Sequence, residues 1–229
     1  MTIIAVSGLL REARIARGPG VKTVVSGANV ALLRQRLEQA IGEGADGIIS
    51  IGVAGALAPS LKPGDCVIAT KVLEEGGRFV SDGPWTARLA AALPNAILGP
   101  LAGSDTIICG VPAKIALLRS TGACAVDMES HIVARLANAH GLPFAVLRTI
   151  ADPANNALPA LASVAITDEG RIDHLGIFKS LLGDPGQIPD LIQTSRESKA
   201  AFRALLRCRR ALGLRLLGPD GGKLALDMR

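Results

Sequence analysis

Two stretches of this sequence put carboxylates where chemistry is often done. In Val126-Asp127-Met128-Glu129-Ser130, two acids stand where an apolar run gives way to a helical pattern. Asp152 directly follows the apolar run Phe144–Ala151 and precedes Pro153. An acid at the end of a buried strand is costly unless it is paired, solvated or in use. Acids in such places are candidates for general acid–base work. Each also has a plain structural reading: Asp127 or Glu129 favouring a helix N-terminus, and Asp152-Pro153 making a turn.

The elements that must carry these residues alternate along the chain. Short apolar, β-branched runs occupy Thr2–Val6, Lys22–Ser26, Gly47–Ile51, Cys66–Val72, Ala96–Leu101, Ala123–Asp127 and Phe144–Ile150. Helical patterns occupy Val30–Glu43, Thr86–Leu93, Pro112–Ser120, Ser130–His140 and Ile188 to about Leu212. This alternation predicts an α/β fold with a mixed or parallel sheet. Gly141-Leu142-Pro143 reads as a helix stop followed by a strand start. Asp152–Asp173 reads as a long loop over the strand ends. Two glycine-bearing strand exits, Ser26-Gly27-Ala28-Asn29 and Gly52-Val53-Ala54-Gly55-Ala56, are expected as turns where a ligand can approach the backbone. Neither matches a dinucleotide-binding fingerprint or a P-loop.

Composition narrows the function. Nearly half of the 229 residues are apolar, so a large core is available. There are four Phe, one Trp and no Tyr, so stacking platforms for nucleic acid are hard to build despite a net charge of +5. Cys66, Cys109, Cys124 and Cys208 lack metal-ligand spacing, and His131, His140 and His174 are scattered; no metal or other cofactor is expected. The apolar Thr2–Leu10 has no basic leader before it and reads as a first strand, giving a cytoplasmic expectation. Arg196, Lys199, Arg203, Arg207, Arg209, Arg210 and Arg215 face one acid, Glu197, in a basic amphipathic helix spanning about 188–215. That helix is either an ordinary surface helix or a peripheral contact with an anionic membrane at its inner face.

Taken together, three segments resemble the nucleoside phosphorylase and nucleosidase superfamily: Gly52–Asp65, Val126-Asp127-Met128-Glu129, and Arg148-Thr149-Ile150-Ala151-Asp152, in matching order and spacing. Within it, Gly103-Ser104-Asp105, Asp127–His131, Ala151–Ala154 and the tail Pro185–Leu191 are similar to the hopanoid-associated phosphorylases. The resemblance implies one domain over residues 1–229, a three-layer α/β/α sandwich with a central mixed β-sheet, and a homo-oligomer. It implies cleavage of the N-glycosidic bond of an adenosine-type nucleoside, adenosylhopane by the subgroup, with release of adenine in hopanoid biosynthesis. A methylthioadenosine or adenosylhomocysteine nucleosidase, or a catalytically silent nucleoside binder, are the alternatives.

The residue roles follow from the same resemblance. Asp152 would protonate the leaving base, Glu129 would accept from the ribose hydroxyls, and Met128 would lie on the sugar face. Ser104 and Asp105 fall at the base end, Asp105 being the more structural of the two; Asp127 replaces the usual Glu and has no assigned role. The nucleophile pocket would comprise Gly8, Arg11, Ser26, Gly27, Gly52 and Val53, with Glu12 beside Arg11. Glu12 would activate water in a hydrolase, whereas Arg11 would bind inorganic phosphate as co-substrate in a phosphorylase. Ser50 and Val53 stand where a phosphate-binding Arg and hydroxyl are expected, which weakens phosphorolysis, but Arg14 or an Arg of a neighbouring subunit could compensate, so both routes stay open here.

Overall fold

The computed structural model describes residues 2–27, 29–158, 167, 169–171 and 188–219. In chain order the strands are β1 (Ile3–Ser7), β2 (Val21–Val25), β3 (Gly47–Ala56), β4 (Cys66–Glu74), β5 (Gly77–Val80), β6 (Ile97–Gly103), β7 (Ala125–Asp127) and β8 (Phe144–Asp152). The helices are α1 (Leu10–Ala16), α2 (Val30–Gly42), α3 (Gly83–Ala92), α4 (Val111–Thr121), α5 (Ser130–Ala139) and α6 (Ile188–Ala211).

Among the described residues all eight strands join one mixed sheet. The order β2-β1-β3 is parallel, and β3 then splits its pairing: its first eight residues or so run parallel to β8, while Gly55 and Ala56 pair antiparallel with β7. Because β8 also pairs with β4, and β4 leads through β6 to β7, the five strands β3, β8, β4, β6 and β7 close into a ring. The carboxyl ends of β3, β7 and β8 therefore meet in one place.

Strand alternation sorts the side chains to two covered faces. Ile4, Val6, Ile48 and Val146 pack against Leu33 and Leu37 of α2 and Val133 and Leu136 of α5. Their neighbours Ile3, Ala5, Ile49, Ile51, Ala145 and Leu147 pack on the other side, against Ala16 of α1, Trp85 and Leu89 of α3, and Phe202, Leu205 and Cys208 of α6. Helices thus cover both faces of a mixed sheet, the three-layer α/β/α sandwich expected. The inner face of α6 is consumed by this core, which leaves Arg196, Lys199, Arg203, Arg207 and Arg210 exposed.

Three expectations change. Gly52–Ala56 is not a turn; it continues β3, because ladder partners on β8 extend along Gly52, Val53 and Ala54. Leu10–Ala16, outside the expected helical patterns, is helix α1, which places Glu12 on a rigid element. Gly77–Val80 adds an edge strand that its short, glycine-led sequence did not signal. Of the expected loop Asp152–Asp173, Asp152 ends β8, and residues 159–166, 168, 172 and 173 lie outside the described residues.

Candidate active site

Site construction begins with a buried cation. Arg148 sits mid-strand on β8 and is fully buried, so it must be compensated. Its Nε lies 2.5 Å from Asp127 Oδ2, and Nη2 lies 3.2 Å from Glu129 Oε2. The same Nη2 donates to Ser50 Oγ (2.6 Å) and Ser130 Oγ (3.3 Å), and Nη1 donates to the Val53 carbonyl at 3.4 Å. Asp127 gains its role here: Oδ1 accepts from the backbone N–H of Glu129 (3.2 Å) and Ser130 (2.9 Å), starting α5, while Oδ2 pairs with Arg148. The capping reading and the need for a buried counter-ion are both true of this one residue.

Around that cation stand two further acids. Glu129 is buried, its Oε1 accepting from Ser26 Oγ at 3.0 Å. Burial, opposed by Arg148 and reinforced by Asp127 and Glu12, pushes its carboxyl up to about 7. Glu12 is 2 % exposed, and its two oxygens accept from the backbone N–H of Leu9 and of Val53, both at 2.7 Å. Burial raises its carboxyl above the ordinary range, with Arg148 and these backbone donors acting in the opposite direction. Three carboxylates share one guanidinium, and burial outweighs it in raising the carboxyls of Glu12 and Glu129.

The glycines make this crowding feasible. A Cβ on Gly52 would lie 2.6 Å from Glu12 Oε1 and 2.5 Å from Arg148 Nη1; one on Gly8 would lie 2.7 Å from Glu129 Oε1. Glycine is therefore required at these two positions by the protein's own side chains. Gly27 adopts a left-handed φ of 61° in the turn after β2, with its N–H donating to the Gly8 carbonyl at 3.0 Å.

A second buried ion pair lies across the opening. Lys114 of α4, 1 % exposed, donates from Nζ to Asp152 Oδ2 (2.6 Å) and to the carbonyls of Pro153 (2.8 Å) and Asn156 (2.9 Å). Burial raises the Asp152 carboxyl, and Lys114 pulls it the other way. Gly55 faces this carboxylate, since a Cβ there would lie 3.1 Å from Oδ2.

Between the two groups runs an open cavity of about 150 Å³. Glu12, Asp127, Glu129 and Asp152 line it together with Gly8, Leu9, Val53 and Met128, and Thr106, Ile107, Ile108 and Leu158 supply an aliphatic wall. The carboxylates expected to act thus converge on one space. Ser26 and Gly52 stand behind that lining, supporting Glu129 and Glu12. Leu158 is at the wall; Leu161, Val164 and Ile166, also expected near it, lie outside the described residues.

Other expected residues do not reach it. Arg11 is exposed, and its guanidinium carbon stacks 4.1 Å over the Phe202 ring of α6. On α1 it follows Leu10 and precedes Glu12, so the helix turns it away from the face that buries Glu12. Ser104 folds back to its own loop, donating from Oγ to the Thr106 carbonyl at 2.7 Å, and Asp105 lies 2.8 Å from His131 Nε2. Neither lines the cavity; the residues just after them do. Arg148 and Lys114 are the functional residues that sequence reasoning missed. Arg148 carried a signal, a charge inside an apolar run, whereas Lys114 sits in a helix of unremarkable pattern.

The profile of the phosphorylase superfamily matches residues 19–173, which include Glu129 and Asp152 but not Glu12. A 5′-methylthioadenosine/S-adenosylhomocysteine nucleosidase of Shewanella halifaxensis is 29% identical over 137 residues, 50% of this chain and 60% of that protein. That of Haemophilus ducreyi is 33% identical over 130 residues, 47% and 56% respectively. The chain thus matches about six-tenths of the length of these curated relatives. Among solved structures, the nucleosidase of that type from S. pneumoniae with a transition-state inhibitor superposes with a TM-score of 0.64, at 19% identity over 93% of this chain and all of that one. The futalosine hydrolase of Helicobacter pylori gives 0.61, at 16% identity over 92% and 97%. At such identities the likeness is one of fold.

Proposed function

This chain belongs to the phosphorylase superfamily, and on that premise we propose that it hydrolyses the N-glycosidic bond of an adenosine-type nucleoside. One observation carries the choice of water over phosphate. The cavity end at Gly8 is walled by Glu12 and Glu129, and among the described residues no cation is left there to hold an anion. Arg148 is spent on Asp127 and Glu129, and Arg11 lies on Phe202. A phosphate dianion would meet two carboxylates, while a water molecule would meet a base.

In this reading Glu12 takes a proton from water as its oxygen bonds to the anomeric carbon. Glu129 accepts from the ribose hydroxyls, and Met128 covers the sugar. As the C–N bond breaks, its electron pair goes to the base, and Asp152 protonates a ring nitrogen of that base. The cationic ribosyl group develops beside the acid cluster, which stabilises it electrostatically. Thr106, Ile107, Ile108 and Leu158 flank the base in place of an aromatic platform.

We further propose an apolar 5′ substituent, which the aliphatic lining of Leu9, Val53 and Met128 suits. Adenosylhopane, a step in hopanoid biosynthesis, is the proposed substrate; methylthioadenosine, with a smaller apolar group, is its competitor. Adenine release from adenosine, methylthioadenosine and adenosylhopane, measured with and without phosphate, tests both parts. Phosphate-independent release is expected, fastest with adenosylhopane. A strict phosphate requirement would overturn hydrolysis, and faster turnover of methylthioadenosine would overturn the substrate assignment.

A further inference from the structure

A lysine is rarely buried completely unless it is paired, and Lys114 is paired in an instructive way. Its ammonium has three N–H donors, and all three are used: one on Asp152 Oδ2, two on the carbonyls of Pro153 and Asn156. No donor remains for a substrate, so any influence on the reaction must pass through Asp152. The two carbonyls belong to the turn that leads from β8 to Leu158, one wall of the cavity. Lys114 itself rises from the first turn of α4, which follows the neighbouring wall at Thr106–Ile108, where the Leu158 N–H also donates to the Cys109 carbonyl (2.9 Å). One side chain therefore ties together both walls of the base end.

The surroundings of Asp152 set opposing demands. Burial favours the neutral acid, and Lys114 favours the carboxylate. From α6, Glu197 adds an unfavourable negative charge, its Oε1 held by Asn156 Nδ2 (3.3 Å) and Gln193 Nε2 (3.0 Å). The thiol of Cys109, in the loop before α4, also feels the Asp152 charge. With burial alone, Asp152 would stay protonated but give its proton up reluctantly. With Lys114 alone, it would be a carboxylate and have no proton to give.

We infer that Lys114 is a positioning residue for base departure: it anchors Asp152 by Oδ2, leaves Oδ1 to face the cavity, and stabilises the carboxylate that remains once the proton has passed to the base. This rests on the hydrolytic reading above. The balance is simple: the O–H bond of Asp152 breaks, an N–H bond forms on the leaving base, and the negative charge left behind lies against the Lys114 ammonium. Water returns the proton after release.

The test uses the full chain with ¹³C-labelled aspartate, the Asp152 carboxyl signal being assigned by its loss in Asp152→Asn. Lys114→Met, and Lys114→Gln as the variant that retains a donor for the turn carbonyls, are titrated without substrate. The Asp152 midpoint is expected to rise by about one to three pH units. In parallel, the alkaline limb of kcat/KM for adenine release should move up with it. The low-pH plateau should fall about tenfold, since the acid has become weaker. Lys114→Arg should restore most of both. A purely structural lysine would lower the rate at every pH and leave the limb in place. An unmoved Asp152 midpoint in both neutral variants overturns the inference. Failure of the unmutated protein to release base from any adenosine analogue overturns the nucleosidase reading instead, since the titration is made without turnover.

Discussion

Replacing Glu12 by Gln tests the hydrolytic assignment most directly. Gln keeps the shape and one acceptor oxygen but removes the charge and the proton-accepting capacity. Loss of a general base costs about 10²- to 10⁴-fold in kcat, or about 3 to 5 kcal/mol. A second effect follows from geometry. The ideal Cβ position of Gly8 is 2.7 Å from Glu129 Oε1 and 3.5 Å from Glu12 Oε2, so those oxygens are no more than about 6 Å apart. At an effective dielectric of about 20, two unit charges at that separation repel by about 3 kcal/mol, equivalent to about two pH units. Removing the Glu12 charge should therefore lower the Glu129 carboxyl from about 7, with burial, the largest cause, still holding it above the ordinary carboxylate range. Since Glu129 must be ionised to accept strongly from ribose hydroxyls, the acid limb of kcat/KM should move to lower pH in the variant.

The assay is initial-rate adenine release in phosphate-free buffer from pH 5 to 9, with melting temperature as the control for folding. The Gln amide turns an N–H toward one backbone donor, so a penalty of about 1 to 3 kcal/mol in stability is expected, short of unfolding. A kcat within threefold of the unmutated enzyme would refute Glu12 as the base. An acid limb that stays in place or moves upward would refute the electrostatic coupling of the two acids, whatever happens to the rate.

Other perturbations check separate parts of the arrangement. Glu129 binds a proton more tightly in the folded protein than when unfolded, so stability should fall as pH rises from about 4.5 to 7, by about 3 kcal/mol; Glu129→Gln should flatten this slope in thermal melts. Gly52→Ala places a methyl 2.5 to 2.6 Å from Arg148 and Glu12, so it should lower melting temperature and activity together; an unchanged protein would show that the crowding can be relieved. Arg148→Met leaves two acids buried without their partner, and a loss of about 3 to 5 kcal/mol should appear in denaturant unfolding. Arg196, Lys199, Arg203, Arg207 and Arg210 are exposed on α6, so we propose binding to vesicles rich in phosphatidylserine; it should weaken steeply between 50 and 200 mM salt and be lost in a five-fold Glu replacement, and equal partitioning of both proteins would sink it.

Much of this arrangement could be read from residue order, and the remainder could not for identifiable reasons. Strands with hydrophobic neighbours on both faces, such as Ile3–Val6 and Ile48–Ile51, announce themselves as apolar runs, and two-sided burial is what the helical layers supply. Glu129 and Asp152 stand at strand ends, where a charge is conspicuous. The glycine pair at Gly52 and Gly55 misled: glycines at a strand exit signal a turn, but here they let an unbroken strand pass beneath Glu12 and Asp152. Arg11 and Glu12, adjacent in sequence, point to different sides of α1, a distinction that needs the helix to be recognised first. Lys114 was illegible because its three acceptors come from residues 38 to 42 positions away, two of them backbone carbonyls that no side-chain pattern records.

The two ion clusters also differ in sign, and this difference has a direction. At the sugar end Glu12, Asp127 and Glu129 outnumber Arg148, an excess of acids in which burial raises the Glu12 and Glu129 carboxyls. At the base end Lys114 balances Asp152, and when Asp152 is protonated that end is positive. Breaking a glycosidic bond moves electrons from the sugar toward the base, leaving a ribosyl cation and an electron-rich purine. A cavity negative at one end and positive at the other favours that displacement before any proton moves, and fixed charges do so without reorganising. Phosphorolysis would require the sugar end to welcome an anion as well, which is the charge it is least built to accept. Reversing one sign therefore discriminates: Glu12→Lys should abolish hydrolysis, and phosphate-dependent release in that variant would show that the acid cluster alone had excluded the anion.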